Sequence, residues 1–172
     1  MTSRSTPGLA WFNSAGEADA RAALHELCAA QAWGSALLAR RPYGSPGEFL
    51  RASDAATAAL TAADLAEAMA GHPPIGRPKP GDPASAREQR GMAGASEELK
   101  AEMLELNLAY QDKFGHVFLI CATGLSAEQL RDAVRHRIDN SPEQEREILR
   151  QELVKINQIR LTRLTEEGAP SA

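Results

Sequence analysis

Apolar residues return along this chain at intervals of three and four, and most such runs open on a residue suited to capping a helix. Leu24, Leu27 and Cys28 share one face of a first segment behind Ser14, and Trp33, Leu37 and Leu38 mark a second that stops before Arg41-Pro42. After Ser45-Pro46, Phe49, Ala56 and Leu60 recur near the helical period, and Leu65 and Met69 continue the stripe in a separate short helix ended by Gly71. Leu99, Met103, Leu106, Tyr110 and Phe114 form a long stripe from Ser96 to Phe114, with Asn107 set among them. Leu130, Val134 and Ile138 are the inward positions of a helix that follows Ser126 and stops near Asn140. A last long helix starts with Ser141 as N-cap and Pro142 in its first turn.

The pairs Ser14/Glu17, Ser45/Glu48, Thr61/Asp64, Ser85/Glu88, Ser126/Gln129 and Ser141/Gln144 have the spacing of a capping box, a Ser or Thr followed three residues later by an acid or amide. Two stretches interrupt the helical pattern. Pro73 to Pro83 holds five prolines and two glycines, which predicts an irregular loop of about ten residues. Val117-Phe118-Leu119-Ile120-Cys121 is entirely apolar and bounded by Gly115 and Gly124; periodicity does not assign it, and its reading is buried and mostly extended. With no heptad seam and no long repeat, the expectation is an all-α fold of seven or eight helices with one short strand at most.

Composition narrows the function classes. The 172 residues suit one domain, expected over 9–167 with flexible termini at 1–8 and 168–172. Lys and Arg number 19 against 23 Asp and Glu, a net charge of −4, so there is no basic field for phosphate neutralisation and nucleic acid is not an expected partner. Hydrophobic residues make up 43% but aromatics only 5%, which favours closely packed helices rich in alanine. Cys28 and Cys121 stand far apart, and no Cys or His pair has metal-ligand spacing, so the expectation is buried free thiols and no metal. The opening residues lack the apolar run of a signal peptide and no segment approaches the ~18 apolar residues of a membrane span, which places the protein in the cytoplasm.

Three polar positions stand out as candidate chemistry. His72 sits at the mouth of the Pro-rich loop, where prolines hold its backbone rigid; it reads either as a cap on the preceding carbonyls or as a general acid or base. Glu88, as N3 of the Ser85 box on the first turn of a helix entered from that loop, reads either as a capping acid or as a carboxylate beside the imidazole, raising its pKa and orienting the ring. Gln89 adds an amide able to recognise ureido groups through paired donor and acceptor. Arg160 interrupts the inward stripe Leu149, Leu153, Ile156, Arg160, Leu164, and a guanidinium there needs either an internal carboxylate or a bound anionic substrate.

These residues fall in an ordered set: His72-Pro73-x-Ile75-Gly76, Ser85-x-x-Glu88-Gln89, Asn107-x-x-Tyr110-x-x-Lys113-Phe114-Gly115-x-x-Phe118, and Glu152-x-x-Lys155-Ile156-x-x-x-Arg160-Leu161. Together with Trp33 and Arg41-Pro42, the set resembles the 2-oxo-4-hydroxy-4-carboxy-5-ureidoimidazoline (OHCU) decarboxylase family from about Leu9 to Leu164. The resemblance implies an all-α enzyme without cofactor that converts OHCU, formed from urate by urate oxidase and hydroxyisourate hydrolase, to (S)-allantoin and carbon dioxide. It implies His72 and Glu88 as the catalytic pair, with Ser85 and Gln89 holding the ureido and ring groups. Arg160 would bind a substrate oxygen or carboxylate, backbone amides near Phe118 and Ile120 would contact the ring, and Pro73 would shape the wall beside His72. A homodimer is also in keeping with the family.

Two departures from the family pattern fall at Pro74, where many relatives carry a charged residue, and near Cys121, where some carry an arginine. The peroxisomal ending of eukaryotic members is absent, as expected of a bacterial-type cytoplasmic member. A catalytically silent helical module and an enzyme of the same fold acting on another ureido or imidazoline compound are the competing readings, and substrate screening separates them.

Overall fold

Regular structure among residues 6–78 and 80–167, those described by the computed structural model, consists of ten α-helices and no strand. They are α1 (Pro7–Ser14), α2 (Glu17–Leu27), α3 (Gln31–Ala39), α4 (Pro46–Ala58), α5 (Ala62–Ala70), α6 (Pro83–Glu88), α7 (Arg90–Ala93), α8 (Glu97–Phe114), α9 (Ala127–Arg137) and α10 (Pro142–Glu167). No helix among the described residues is long and apolar enough to cross a membrane. Most helix starts follow the capping chemistry. Thr61/Asp64, Ser126/Gln129 and Ser141/Gln144 close both hydrogen bonds of the box at 2.9–3.2 Å. Ser45 caps α4 by accepting from Glu48 N at 3.2 Å, while the Glu48 carboxylate reaches one residue further back, to Gly44 N.

Two of the expected boxes do not form. The Ser14 hydroxyl bonds back to Ala10 O and Trp11 O at the end of α1, so α2 starts after Gly16 instead. Ser85 lies inside α6, because Asp82 caps that helix three residues earlier, accepting from Ala84 N at 3.1 Å, and Pro83 fills its first position. Glu88 is therefore the last residue of α6 and not an N3 capping acid. The helix count exceeds seven or eight because α1 and α7 are too short to show a hydrophobic period. Helix α1 begins at Pro7 with Gly8 buried, ahead of the expected boundary at 9; Met1–Ser5 and 168–172, expected to be flexible, lie outside the described residues.

The described residues divide into two compact units, 6–68 with 153–167 and 69–78 with 80–152; α5 and α10 contribute to both. In the first, Phe12, Tyr43 and Phe49 stack, with Phe49 4.7 Å from each of the other two rings. Arg41, which precedes the cis bond to Pro42, donates to Phe12 O and Ala15 O at 2.8 Å each and lies over the Phe12 ring. Trp33, fully buried, gives its indole N–H to Ser53 Oγ at 3.1 Å.

In the second unit, α8 and α9 pack around Leu99, Met103, Tyr110, Leu130 and Val134, joined by Met92 of α7 and by Ile75 and Phe118 from the connecting segments. Gly115 ends α8 at φ +80, a left-handed cap that favours glycine. Residues 117–121 are not a strand. Side chains take their backbone groups instead: Leu119 O accepts from Arg137 Nη1 at 2.8 Å and Cys121 N donates to Glu152 Oε2 at 3.2 Å.

Candidate active site

His72 follows α5, its N–H bonded to Met69 O at 3.0 Å and its side chain only 9% exposed. The chain then makes a tight turn, closed by Arg77 N donating to Pro74 O at 3.0 Å, with Gly76 at φ +88 in the third position. That left-handed conformation is the one glycine adopts freely.

Two buried amides fasten this turn. Gln89, the residue between α6 and α7, accepts from Gly76 N through Oε1 at 2.9 Å and donates to Pro74 O through Nε2 at 3.1 Å. Asn107 of α8 donates through Nδ2 to Ile75 O at 2.9 Å. Gln89 is 6% exposed and Asn107 7%, so each bond is made away from water, where losing it is most costly. Gln89 thus serves the loop backbone through one N–H and its carbonyl oxygen. Ser85 is buried, with its hydroxyl donating to Asp82 O at 3.2 Å, and Glu88 is half-buried.

Ile75 packs into the same cluster as Phe118 and Met92, and Ile120 lies against that cluster, so the turn after His72 and the apolar segment 117–121 share one core. The backbone of α7 closes on the turn that leads into α9: a Cβ on Gly91 would stand 2.0 Å from Leu125 O. Seven of the residues singled out from sequence, His72, Pro73, Ser85, Glu88, Gln89, Phe118 and Ile120, therefore fall in one unit. A cleft of about 330 Å³ in this unit is lined by Pro74, Ile75, Gly76, Leu104, Asn107 and Leu108, and His72 and Glu88 do not line it.

Beneath the 117–121 segment lies a buried ionic group that escaped the sequence reading. Arg137 Nε donates to Glu145 Oε1 at 2.9 Å, Tyr110 OH donates to the same oxygen at 2.5 Å, and Asn140 Nδ2 donates to Oε2 at 3.0 Å. The Arg137 guanidinium also lies over the Phe118 ring, 4.3 Å from its centre. Burial pushes the Glu145 carboxyl up, but the hydrogen bonds from Arg137, Asn140 and Tyr110 outweigh it and hold the group below its ordinary range. Burial and the Glu145 partner push the Tyr110 hydroxyl well above its usual range. The signal was present in the pattern: Arg137 continues the inward spacing of Leu130 and Val134, and Glu145 that of Leu149 and Leu153.

Arg160 belongs to the other unit. It is 8% exposed and donates through Nη1 to Leu27 O at 2.6 Å, the last carbonyl of α2, where the helix dipole favours a cation. Neighbouring Cys28 has its thiol pushed up by burial, against the lowering pull of the Ala30 backbone, the Asn157 side chain and the Arg160 charge. Burial makes that thiol a packing group and not a nucleophile.

Comparison with known proteins identifies the family. The family model for OHCU decarboxylase matches residues 13–162. The uric acid degradation bifunctional protein TTL of Arabidopsis thaliana is 32% identical over 62% of this chain, and the 2-oxo-4-hydroxy-4-carboxy-5-ureidoimidazoline decarboxylase of Amia calva is 39% identical over 36% of it. The matched stretch is 35% of the length of either relative. A crystal structure of OHCU decarboxylase in the presence of (S)-allantoin superposes with a TM-score of 0.74 at 26% identity, covering 82% of this chain and 95% of the other. A crystal structure of (S)-allantoin synthase shares the fold, with a TM-score of 0.70 at 17% identity over 91% of this chain and 53% of that one. With the family model matching most of its length, the chain belongs to the OHCU decarboxylase family.

Proposed function

We propose that this protein decarboxylates OHCU to (S)-allantoin and carbon dioxide, completing the conversion of urate to allantoin, with His72 and Glu88 as its catalytic pair. The observation that carries the reading is the fastening of the His72 loop by Gln89. That residue directly follows Glu88, so the helix end bearing the carboxylate is tied to the loop bearing the imidazole.

In the reaction, the bond from the ring carbon to the carboxylate breaks and carbon dioxide leaves. The electron pair passes into the adjacent C=N bond of the ring, whose nitrogen takes a proton, so the substrate supplies its own electron sink and no cofactor is needed. The resulting enol loses its hydroxyl proton and is protonated on carbon. His72, oriented by Glu88, takes or relays the hydroxyl proton, and protonation from one face sets the (S) centre. Ser85 and Gln89 hold the ureido and ring groups. Arg160 engages the carboxylate, backbone amides near Phe118 and Ile120 contact the ring, and Pro73 forms the wall beside the imidazole. The same proposal places the enzyme in the cytoplasm as a homodimer. Leu104 and Leu108, 37% and 55% exposed on successive turns of α8, are an apolar surface available to a second copy.

The test is to generate OHCU in situ from urate and follow circular dichroism. The enzyme yields an (S)-allantoin signal faster than spontaneous decay, which gives the racemate; a trace unchanged by adding the protein contradicts the proposal.

A further inference from the structure

Asn107 occupies the buried face of α8 with Leu99, Met103 and Tyr110. Packing alone does not call for an amide there. Its Nδ2 is satisfied by Ile75 O, but its Oδ1 is buried and meets no donor among the described residues. Such an orphaned acceptor works against stability. A leucine would continue the apolar stripe without burying that acceptor. What the amide does, and a leucine cannot, is hold the Ile75 carbonyl.

That carbonyl lies between the two groups held by Gln89, so Pro74 O, Ile75 O and Gly76 N are gripped one after another by side chains from two elements. Backbone restrained at three successive residues has little freedom to pivot, and the histidine it restrains lies only two residues ahead of Pro74. We infer that Asn107 is a positioning residue for His72, acting through the Ile75 carbonyl to keep the imidazole in one pose. The inference rests on the proposed role of His72 as acid or base. Acid–base catalysis is sensitive to placement, and a shift of about 1 Å can cost ~10²-fold in rate.

The experiment compares wild type with Asn107→Leu, which removes both the donor and the orphaned acceptor, and with Asn107→Asp, which keeps the shape but cannot donate while ionised. In each variant kcat should fall at least ~10-fold with KM within about twofold, because the loop and not the ligand contacts is altered. Amide exchange at Gly76 should quicken by at least ~10-fold, and the His72 imidazole resonances should broaden or split. The melting temperature of Asn107→Leu should fall by about 2–8 °C with the transition still cooperative, because Ile75 O loses its donor while removal of the orphaned Oδ1 offsets part of that cost. Unchanged kcat in folded variants overturns the inference. So does a loss of kcat accompanied by wild-type loop exchange, and so does failure of both variants to fold, which would make Asn107 a stability residue. If the wild-type protein itself does not decarboxylate OHCU, the proposed function fails alone. The exchange and imidazole resonances then still decide on Asn107, and wild-type values in both variants overturn it.

Discussion

Arg137 and Glu145 form a buried ion pair, with Nη2 2.8 Å from Oε1, and the same guanidinium holds Leu119 O at 2.8 Å. One interaction therefore joins α9 and the start of α10 to the irregular segment that carries Phe118 and Ile120. Removing one partner leaves the other charge buried without compensation, which typically costs about 3–5 kcal/mol. Arg137→Ala should unfold at much lower denaturant than wild type and lose activity with it, as chemical denaturation will show.

The same pair gives a pH dependence with a definite sign. The Glu145 carboxyl is held below its ordinary value of 4.5 in the folded state, so its contribution is present above the unfolded pKa and is lost as pH falls through the lower folded one. The denaturation midpoint of wild type should drop on acidification below about pH 4.5. Glu145→Gln should start from a lower midpoint and show a flatter acid limb; parallel acid limbs would remove Glu145 from the account.

Gly91 has no room for a side chain, since a Cβ would meet the backbone oxygen of Leu125 at 2.0 Å. Gly91→Ala must push α7 away from the turn before α9, at a cost of about 1–3 kcal/mol. A thermal melt of the alanine variant checks this, with a lowered transition expected and an unchanged one contradicting the close approach.

Gln89 serves both loop and proposed ligand, unlike Asn107, and its variants should show it. Gln89→Leu removes the bonds to Gly76 N and Pro74 O together with the amide proposed to hold the ligand. Steady-state kinetics on OHCU should give a kcat lower by at least ~10² and a raised KM, where the Asn107 variants change kcat alone.

Arg160 donates to Leu27 O, and the proposed role adds a planar, fork-shaped contact to the substrate anion. A lysine carries a point charge without the fork, so Arg160→Lys should raise KM by ~10-fold or more while the protein stays folded. Wild-type KM in that variant would make Arg160 an internal tie to α2.

Legibility from sequence followed locality. Thr61, Ser126 and Ser141 cap their helices with the partner three residues on because nothing nearby competes for their hydroxyls. Ser14 and Ser85 have the same local pattern and fail because a preceding helix or a better cap, Asp82 before Pro83, claims the position first. His72 and Arg160 could be singled out because each breaks a pattern, a proline run or an apolar stripe. The grip on Pro74, Ile75 and Gly76 could not, because Gln89 and Asn107 are 13 to 32 residues away in sequence from the groups they hold. Only tertiary packing brings those amides to the loop. Arg137 and Glu145 lay between these cases: spacing marked each as inward, but their pairing depends on how α9 turns into α10.

The central claim is that His72 manages the proton in decarboxylation of OHCU. The most direct measurement is the rate of (S)-allantoin formation, followed by circular dichroism on freshly generated OHCU, for wild type and for a folded His72→Ala variant. Wild type should form the (S) product well ahead of spontaneous decay, and the variant should be slower by at least ~10². Wild-type turnover in His72→Ala would contradict the account.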